Sequence, residues 1–240
     1  MNLDNEQGLL EKCYAIMKTF LFIGANSDVA LATLKKIENQ GNKVICVTRN
    51  QSDELPQALL GNAVSNELPE IEDNIDGLVY FPGSITLKPF RSLKQTDFQN
   101  ELEINVLGAI NTIQKYQAKL NQGASIILFS TVAVQVGMPF HSAVSVAKGA
   151  VEGLTRALAA EFAPKIRVNC IAPSLTNTKL AQKFLSTPEK EEMAGQKHPL
   201  KKVGKKEDLA NAVAFLLGDN SNWMTGQVLH IDGGMSTLKV

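Results

Sequence analysis

The stretch from Gly123 to Ser174, GASIILFSTVAVQVGMPFHSAVSVAKGAVEGLTRALAAEFAPKIRVNCIAPS, leaves this chain little choice of architecture. Two short apolar runs, Ile126 to Phe129 and Ile166 to Ile171, flank a segment in which Ala147, Val151, Leu154, Leu158 and Phe162 recur every three or four residues. Short apolar runs read as buried strands and the recurrence reads as one face of a helix. A strand, a crossover helix and a second strand must pair in parallel within one sheet. Ligands of open parallel sheets collect beyond the carboxyl ends of the strands. Here those ends are Ser130-Thr131 and Pro173-Ser174, and Lys148 lies near the start of the crossover helix.

The rest of the chain repeats the alternation. Lys18 to Gly24 predicts a first strand, followed by a tight turn and a helix over Asp28 to Asn39. A second strand, Lys43 to Val47, ends in Thr48-Arg49-Asn50, and Pro56 and Pro69 then break what would be two helices. Asp76 to Val79 predicts the fourth strand, closed by Tyr80-Phe81-Pro82-Gly83. Thr96 followed by Gln99 predicts a capping box that opens a long helix carrying Asn105 and Gly108. Lys179 to Gly204 is polar and rich in Lys and Glu, with Thr187-Pro188-Glu189 as a helix start, and Glu207 to Leu217 is amphipathic. This order predicts an α/β fold: a single doubly wound parallel sheet with helices on both faces, in one domain over residues 17–240. Residues 1–16 are an acidic N-terminal extension without the basic start of a signal peptide.

Lys and Arg total 24 and Asp and Glu total 24, a net charge of zero with the basic residues scattered. No electrostatic footprint for nucleic acid or an anionic membrane results. The most apolar window is too polar to span a bilayer. Cys13, Cys46 and Cys170 are odd in number and lack metal-type spacing, so a reducing cytoplasm is expected and a metal is not. A small molecule is the expected partner.

The central stretch resembles the short-chain dehydrogenase/reductase family, whose signature is a Ser followed thirteen residues later by Tyr-x-x-x-Lys. With Lys148 as the lysine, those positions hold Thr131 and Val144. The resemblance runs from Lys18 to the C-terminus and implies a Rossmann-like sheet. It implies that Lys148 holds the nicotinamide ribose and that Asn105 holds a water relaying protons to it. The family's tyrosine donates the proton, and Val144 offers none. Thr131 keeps a hydroxyl that could polarise a carbonyl. His141, seven residues before Lys148 and on the same helical face, is the candidate substitute acid. Ser145 points about 100° away from Val144 and is a weaker one.

The cofactor positions follow by the same resemblance. The family's Thr-Gly-x-x-x-Gly-x-Gly turn reads Ile23-Gly24-Ala25-Asn26-Ser27-Asp28-Val29-Ala30, keeping only the first glycine. Asp28 puts a carboxylate at the helix start, where a pyrophosphate would otherwise be attracted. Thr48 and Arg49 end the second strand; an Arg here accommodates the 2′-phosphate of NADP, and with no acid at the strand end NADP(H) is favoured over NAD(H). The family's Asn-Asn-Ala-Gly becomes Tyr80-Phe81-Pro82-Gly83, with Pro82 and Gly83 against the cofactor. Pro173, Ser174, Thr176 and Thr178 correspond to the segment that contacts the nicotinamide carboxamide. Lys179 to Gly204 corresponds to the lid over substrate. Asn222 to Gly234 matches the last strand and C-terminal turn, which implies a homodimer or homotetramer.

Three functions are compatible with these residues. The first is NADP(H)-linked carbonyl reduction or alcohol oxidation with an altered or missing general acid. The second is a dinucleotide-binding sensor without catalysis, and the third is a structural subunit of a family-type oligomer. The joint presence of Thr131, Asn105 and Lys148 favours the first. A general acid contributes about 10²- to 10⁴-fold and positioning about 7 to 11 kcal/mol, so loss of the tyrosine alone predicts a slow enzyme.

Overall fold

The computed structural model describes residues 17–239; the extension over 1–16 lies outside the described residues. The strands are β1 (Thr19–Ile23), β2 (Lys43–Thr48), β3 (Leu59–Leu60), β4 (Ile75–Tyr80), β5 (Leu120–Phe129), β6 (Arg167–Pro173) and, at the far end of the chain, β9 (Val228–Ile231). They form one seven-stranded sheet in the order β3-β2-β1-β4-β5-β6-β9. Every pairing in it is parallel. A short pair, β7 (Thr176–Asn177) with β8 (Gly204–Lys205), brackets the polar excursion between them.

Successive side chains of a strand point to opposite faces, and both faces of this sheet are buried. Leu21, Ile23, Leu78, Ile126 and Leu128 pack on one side against Ile113, Tyr116 and Val151. Those residues belong to α3 (Gly108–Tyr116) and α4 (Ser142–Phe162). Phe20, Phe22, Val79 and Ile127 pack on the other side against Leu34, Ile37, Leu209, Val213 and Leu216. These come from α1 (Asp28–Glu38) and α6 (Lys206–Leu217). The doubly wound fold predicted from the alternation is therefore the fold observed.

The strand order reverses between β1 and β4. The chain runs outward from β1 through β2 to β3, then returns to place β4 on the other side of β1. At that switch point the loops after β1 and β4 diverge, which opens a crevice. The two loops also touch. Gly24 adopts φ +71°, and a Cβ there would lie 2.8 Å from Pro82 Cγ, so the first turn needs glycine on both counts.

The long helix expected around Asn105 is not continuous. It starts as α2 (Gln95–Leu102), passes through a π-helical turn at Glu103–Leu107 and resumes as α3. Its start is also earlier than the Thr96 capping box requires. Lys94 occupies the cap, and Asp97 Oδ2 accepts the Lys94 N–H at 2.9 Å. An aspartate at the third helical position completes that contact locally and outcompetes a start at Thr96. The π turn displaces a carbonyl from the regular ladder, and the Tyr80 hydroxyl donates to Ile104 O at 2.6 Å. The same hydroxyl fills the space a side chain at Gly108 would need.

In the excursion between β7 and β8, Thr187 caps α5 (Pro188–Gly195) as its sequence predicts, with its side chain accepting from Lys190 N. The segment from Gln51 to Asn74 holds no helix, in line with its two prolines, and contributes only β3 to the sheet. Among the described residues no helix is long and apolar enough to cross a membrane.

Candidate active site

The carboxyl ends of β1, β4, β5 and β6 open onto a cleft of about 860 Å³. Its walls include the first turn, with Asn26, Ser27, Asp28 and Val29. Gly83, Thr131, His141 and Lys148 line it at the ends of β4 and β5 and at the head of α4. Pro173, Ser174, Thr176 and Thr178 close it after β6. Of the other sequence-predicted residues, Gly24 and Pro82 are half-buried and pack against each other, and Asn105 is buried. Thr48 is also buried, its hydroxyl donating to Asn50 O at 2.9 Å, which turns Arg49 outward to solvent at the end of β2.

Lys148 is 7 % exposed, and its Nζ donates to Phe129 O, the last carbonyl of β5, at 2.9 Å. Burial pushes its ammonium down to about 8, with the charges of Cys170 and Glu101 opposing the shift. A proton is thus exchangeable there near neutral pH. A Cβ on Gly83 would stand 3.4 Å from Asn105 Oδ1 and 3.5 Å from Lys148 Nζ. Both polar atoms therefore flank the space that glycine leaves free.

Asn105 sits in the π turn, where its Nδ2 reaches Glu101 O at 2.8 Å, Glu101 Oε2 at 2.9 Å and Ser84 Oγ at 3.0 Å. Ser84 donates its own hydroxyl proton to Glu101 Oε2 at 2.9 Å. Glu101 is wholly buried, and its Oε1 has no hydrogen-bond partner among the described residues. Sequence reading missed both Ser84 and Glu101. The available signal was the polar stripe Glu101, Asn105, Gly108 and Thr112, which follows the helical period one step around from the apolar stripe Leu102, Val106, Ala109 and Ile113.

At the β5 end, Thr131 Oγ1 accepts from Ala133 N at 3.4 Å and caps a single turn over Val132–Val134. That bond uses a lone pair and leaves the hydroxyl proton for the cleft. Val144, in the first turn of α4, is buried in the cleft wall. Ser145 donates instead to Ala133 O at 3.1 Å, away from the signature position. His141 caps α4, and its Nδ1 lies 2.7 Å from Pro139 O. A carbonyl can only accept, so Nδ1 carries a proton and the neutral ring presents Nε2 as an acceptor.

Two contacts tie the excursion down over the cleft. Asp28 Oδ2 accepts the Lys179 backbone N–H. Ser174 Oγ lies 2.8 Å from His198 Nε2, and His198 Nδ1 lies 3.0 Å from Ala194 O. By the same carbonyl argument Nδ1 carries a proton, and the Ser174 hydroxyl sits between His198 Nε2 and Met235 Sδ, 3.3 Å away. His198 is a lining residue that sequence reading also missed.

With this geometry in place, the family follows from comparison. A family model described as enoyl-(acyl carrier protein) reductase matches residues 60–236. An uncharacterized oxidoreductase of Methylorubrum extorquens is 30% identical over 206 residues, covering 85% of this chain and 82% of that protein. Carbonyl reductase (NADPH) 2 of Sus scrofa is 27% identical over 237 residues, covering 89% and 94%. The ligand-free aldohexose dehydrogenase of Thermoplasma acidophilum superposes with a TM-score of 0.83 at 24% identity, over 93% of this chain and 95% of that one. The chain belongs to the short-chain dehydrogenase/reductase family of oxidoreductases.

Proposed function

We propose that this chain is an NADP(H)-linked oxidoreductase that interconverts a small carbonyl and its alcohol without the tyrosine of the family signature. The observation that carries the reading is the convergence of buried Lys148 Nζ and Asn105 Oδ1 on the space kept open by Gly83, with Thr131 on the same cleft. A buried lysine is costly, and one aimed at an open cleft is most simply explained by a ligand.

A nicotinamide dinucleotide fits the groups present. The N-terminus of α1, with Asn26, Ser27 and Val29 on the cleft, suits its pyrophosphate. Lys148 suits the nicotinamide ribose, and Pro173, Ser174, Thr176 and Thr178 suit the carboxamide end. Arg49 is free in solvent to meet a 2′-phosphate. When bound, the cofactor supplies the hydride or takes it up. Thr131 orients the substrate oxygen, and the buried walls exclude water. His141 is one candidate acid on the cleft; in its present tautomer it must first gain a proton at Nε2. The reading includes a cytoplasmic homodimer or homotetramer, as the family resemblance implies.

A second reading, a dinucleotide sensor that does no chemistry, is favoured by two observations. Val144 stands in the acid position, and the Asp28–Lys179 contact closes the phosphate end. A fluorescence titration of the purified chain with NADPH and with NADH tests both. Micromolar binding that prefers NADPH supports the first two readings, and turnover of a carbonyl then separates them. Binding of neither dinucleotide leaves the structural subunit.

A further inference from the structure

The proton that the substrate oxygen must gain or lose has no source at Val144, and the described side chains hold one elsewhere. We propose that Ser84 is the catalytic acid/base on the substrate oxygen and that Glu101 is the positioning residue and proton store behind it. The proposal rests on the oxidoreductase reading above and deepens it.

The geometry is that of a hydroxyl wired to a buried base. Ser84 lines the cleft, donates to Glu101 Oε2 at 2.9 Å and accepts from Asn105 Nδ2 at 3.0 Å. A hydroxyl has one proton and two lone pairs, so one lone pair of Ser84 remains for the cleft. Glu101 has no exposed surface, and among the described residues nothing pairs with its Oε1. Burying a carboxyl with an unmade hydrogen bond is unfavourable, and residues that carry this cost concentrate where the group is used. Asn105 explains the placement: its amide is shared between the Glu101 carboxyl, the Glu101 carbonyl and Ser84, so the π turn holds the pair in register.

The step balances as follows in the oxidation direction. The substrate O–H bond breaks and its proton bonds to Ser84 Oγ. The Ser84 O–H bond breaks in turn, and that proton bonds to Glu101 Oε2. The C–H electron pair of the carbinol carbon leaves as hydride to the oxidised nicotinamide dinucleotide of the proposed reading, which completes the carbonyl. Reduction is the reverse. Lys148 is the neighbouring charge that Glu101 acts upon: burial pushes that ammonium down to about 8, and the Glu101 charge opposes the shift. Of the other ionisable groups near the pair, Lys88, on the loop of Ser84, pairs with Asp97, Glu152 on α4 pairs with Ser130 and Arg156, and burial pushes the free Cys170 thiol up to about 12.

The test compares the full-length wild-type chain with Ser84→Ala, Glu101→Gln and Glu101→Asp. Infrared difference spectra across pH, taken without cofactor or substrate, read Glu101 directly. The expected result is a protonated-carboxyl band that grows as pH falls, is missing in Glu101→Gln and is displaced in Ser84→Ala. Absence of that band at every pH at which the protein stays folded overturns the proposal. Turnover is read with NADP⁺ and D-glucose, and with NADPH and 2,3-butanedione. Ser84→Ala and Glu101→Gln should each lower kcat about 10²-fold or more, with NADPH still bound and with Glu101→Asp partly restoring both rate and pH profile. Equal kcat in Ser84→Ala and wild type sinks the assignment, as does a wild type that binds NADPH and converts neither probe. Failure of the wild type to bind any dinucleotide instead removes the oxidoreductase reading, while the infrared result still stands.

Discussion

Asp28 and Lys179 meet across 151 positions of chain: Asp28 Oδ2 accepts the Lys179 backbone N–H at 2.5 Å. The contact joins the first helical residue after β1 to the start of the excursion that covers the cleft. It also sets a carboxylate against the positive end of α1, where a pyrophosphate would sit. On the proposed dinucleotide reading, the ligand has to displace or repel this group.

Asp28→Asn removes the charge and keeps an oxygen for the Lys179 N–H. A charge at a helix terminus is worth about 0.3 to 1 kcal/mol, so NADPH should bind about two- to five-fold more tightly. The gain should shrink at high salt. An unchanged or weaker Kd in fluorescence titration would mean that the carboxylate does not compete with the ligand.

Arg49 is exposed at the end of β2 beside the buried Thr48. If it meets the 2′-phosphate, Arg49→Ala should weaken NADPH binding about ten-fold, the scale of one hydrogen bond to a charged group, and leave NADH binding as it was. Parallel loss of both dinucleotides would point to a general electrostatic effect instead.

Val144 is buried in the cleft wall one helical turn before Lys148. Val144→Tyr places a phenol beside that ammonium, and with the rest of the site intact it should raise kcat about 10²-fold or more. Val144→Phe, of similar bulk without the hydroxyl, should not. The tyrosine variant should also recover turnover in a Ser84→Ala background. Steady-state rates of wild type, the two Val144 variants, Ser84→Ala and the double variant decide this, and a rise in the phenylalanine variant would assign the effect to packing.

Lys148 titrates at about 8 in the folded chain because of its burial, against about 10.5 when unfolded. Between these values the unfolded state holds the extra proton, so stability rises with pH through that window. Below about pH 8 both states are protonated and the full cost of the buried charge is present. Lys148→Met should therefore be more stable than wild type near neutral pH, by an amount on the order of 3 kcal/mol, and the gap should narrow towards pH 10. Denaturant midpoints measured at pH 7 and pH 9.5 check the sign.

Much of the fold was legible because it rests on local periodicities. The apolar runs at Ile126 and Ile166 and the helical recurrence from Ala147 to Phe162 name their elements without reference to the rest of the chain, and parallel pairing follows from the crossover between them. Thr187-Pro188 likewise announced a helix start that depends on neighbours alone. Local signals failed where a nearby competitor existed, as at Lys94 and Asp97, which begin α2 before Thr96 can.

The site divides along the same line. Sequence determined the chemistry on offer: Thr131, His141 and Lys148 at a strand end and a helix start, and a valine, Val144, four residues before that lysine. Tertiary structure decided which groups meet. Tyr80, from β4, holds the π turn through Ile104 O, and that turn aims Asn105 at Ser84 and Glu101. Asp28 reaches Lys179 only because the chain after β6 crosses from three strands away in the sheet to the turn after β1. Such pairings depend on the register of distant strands and on where a helix bulges, and neither has a period that a single chain displays.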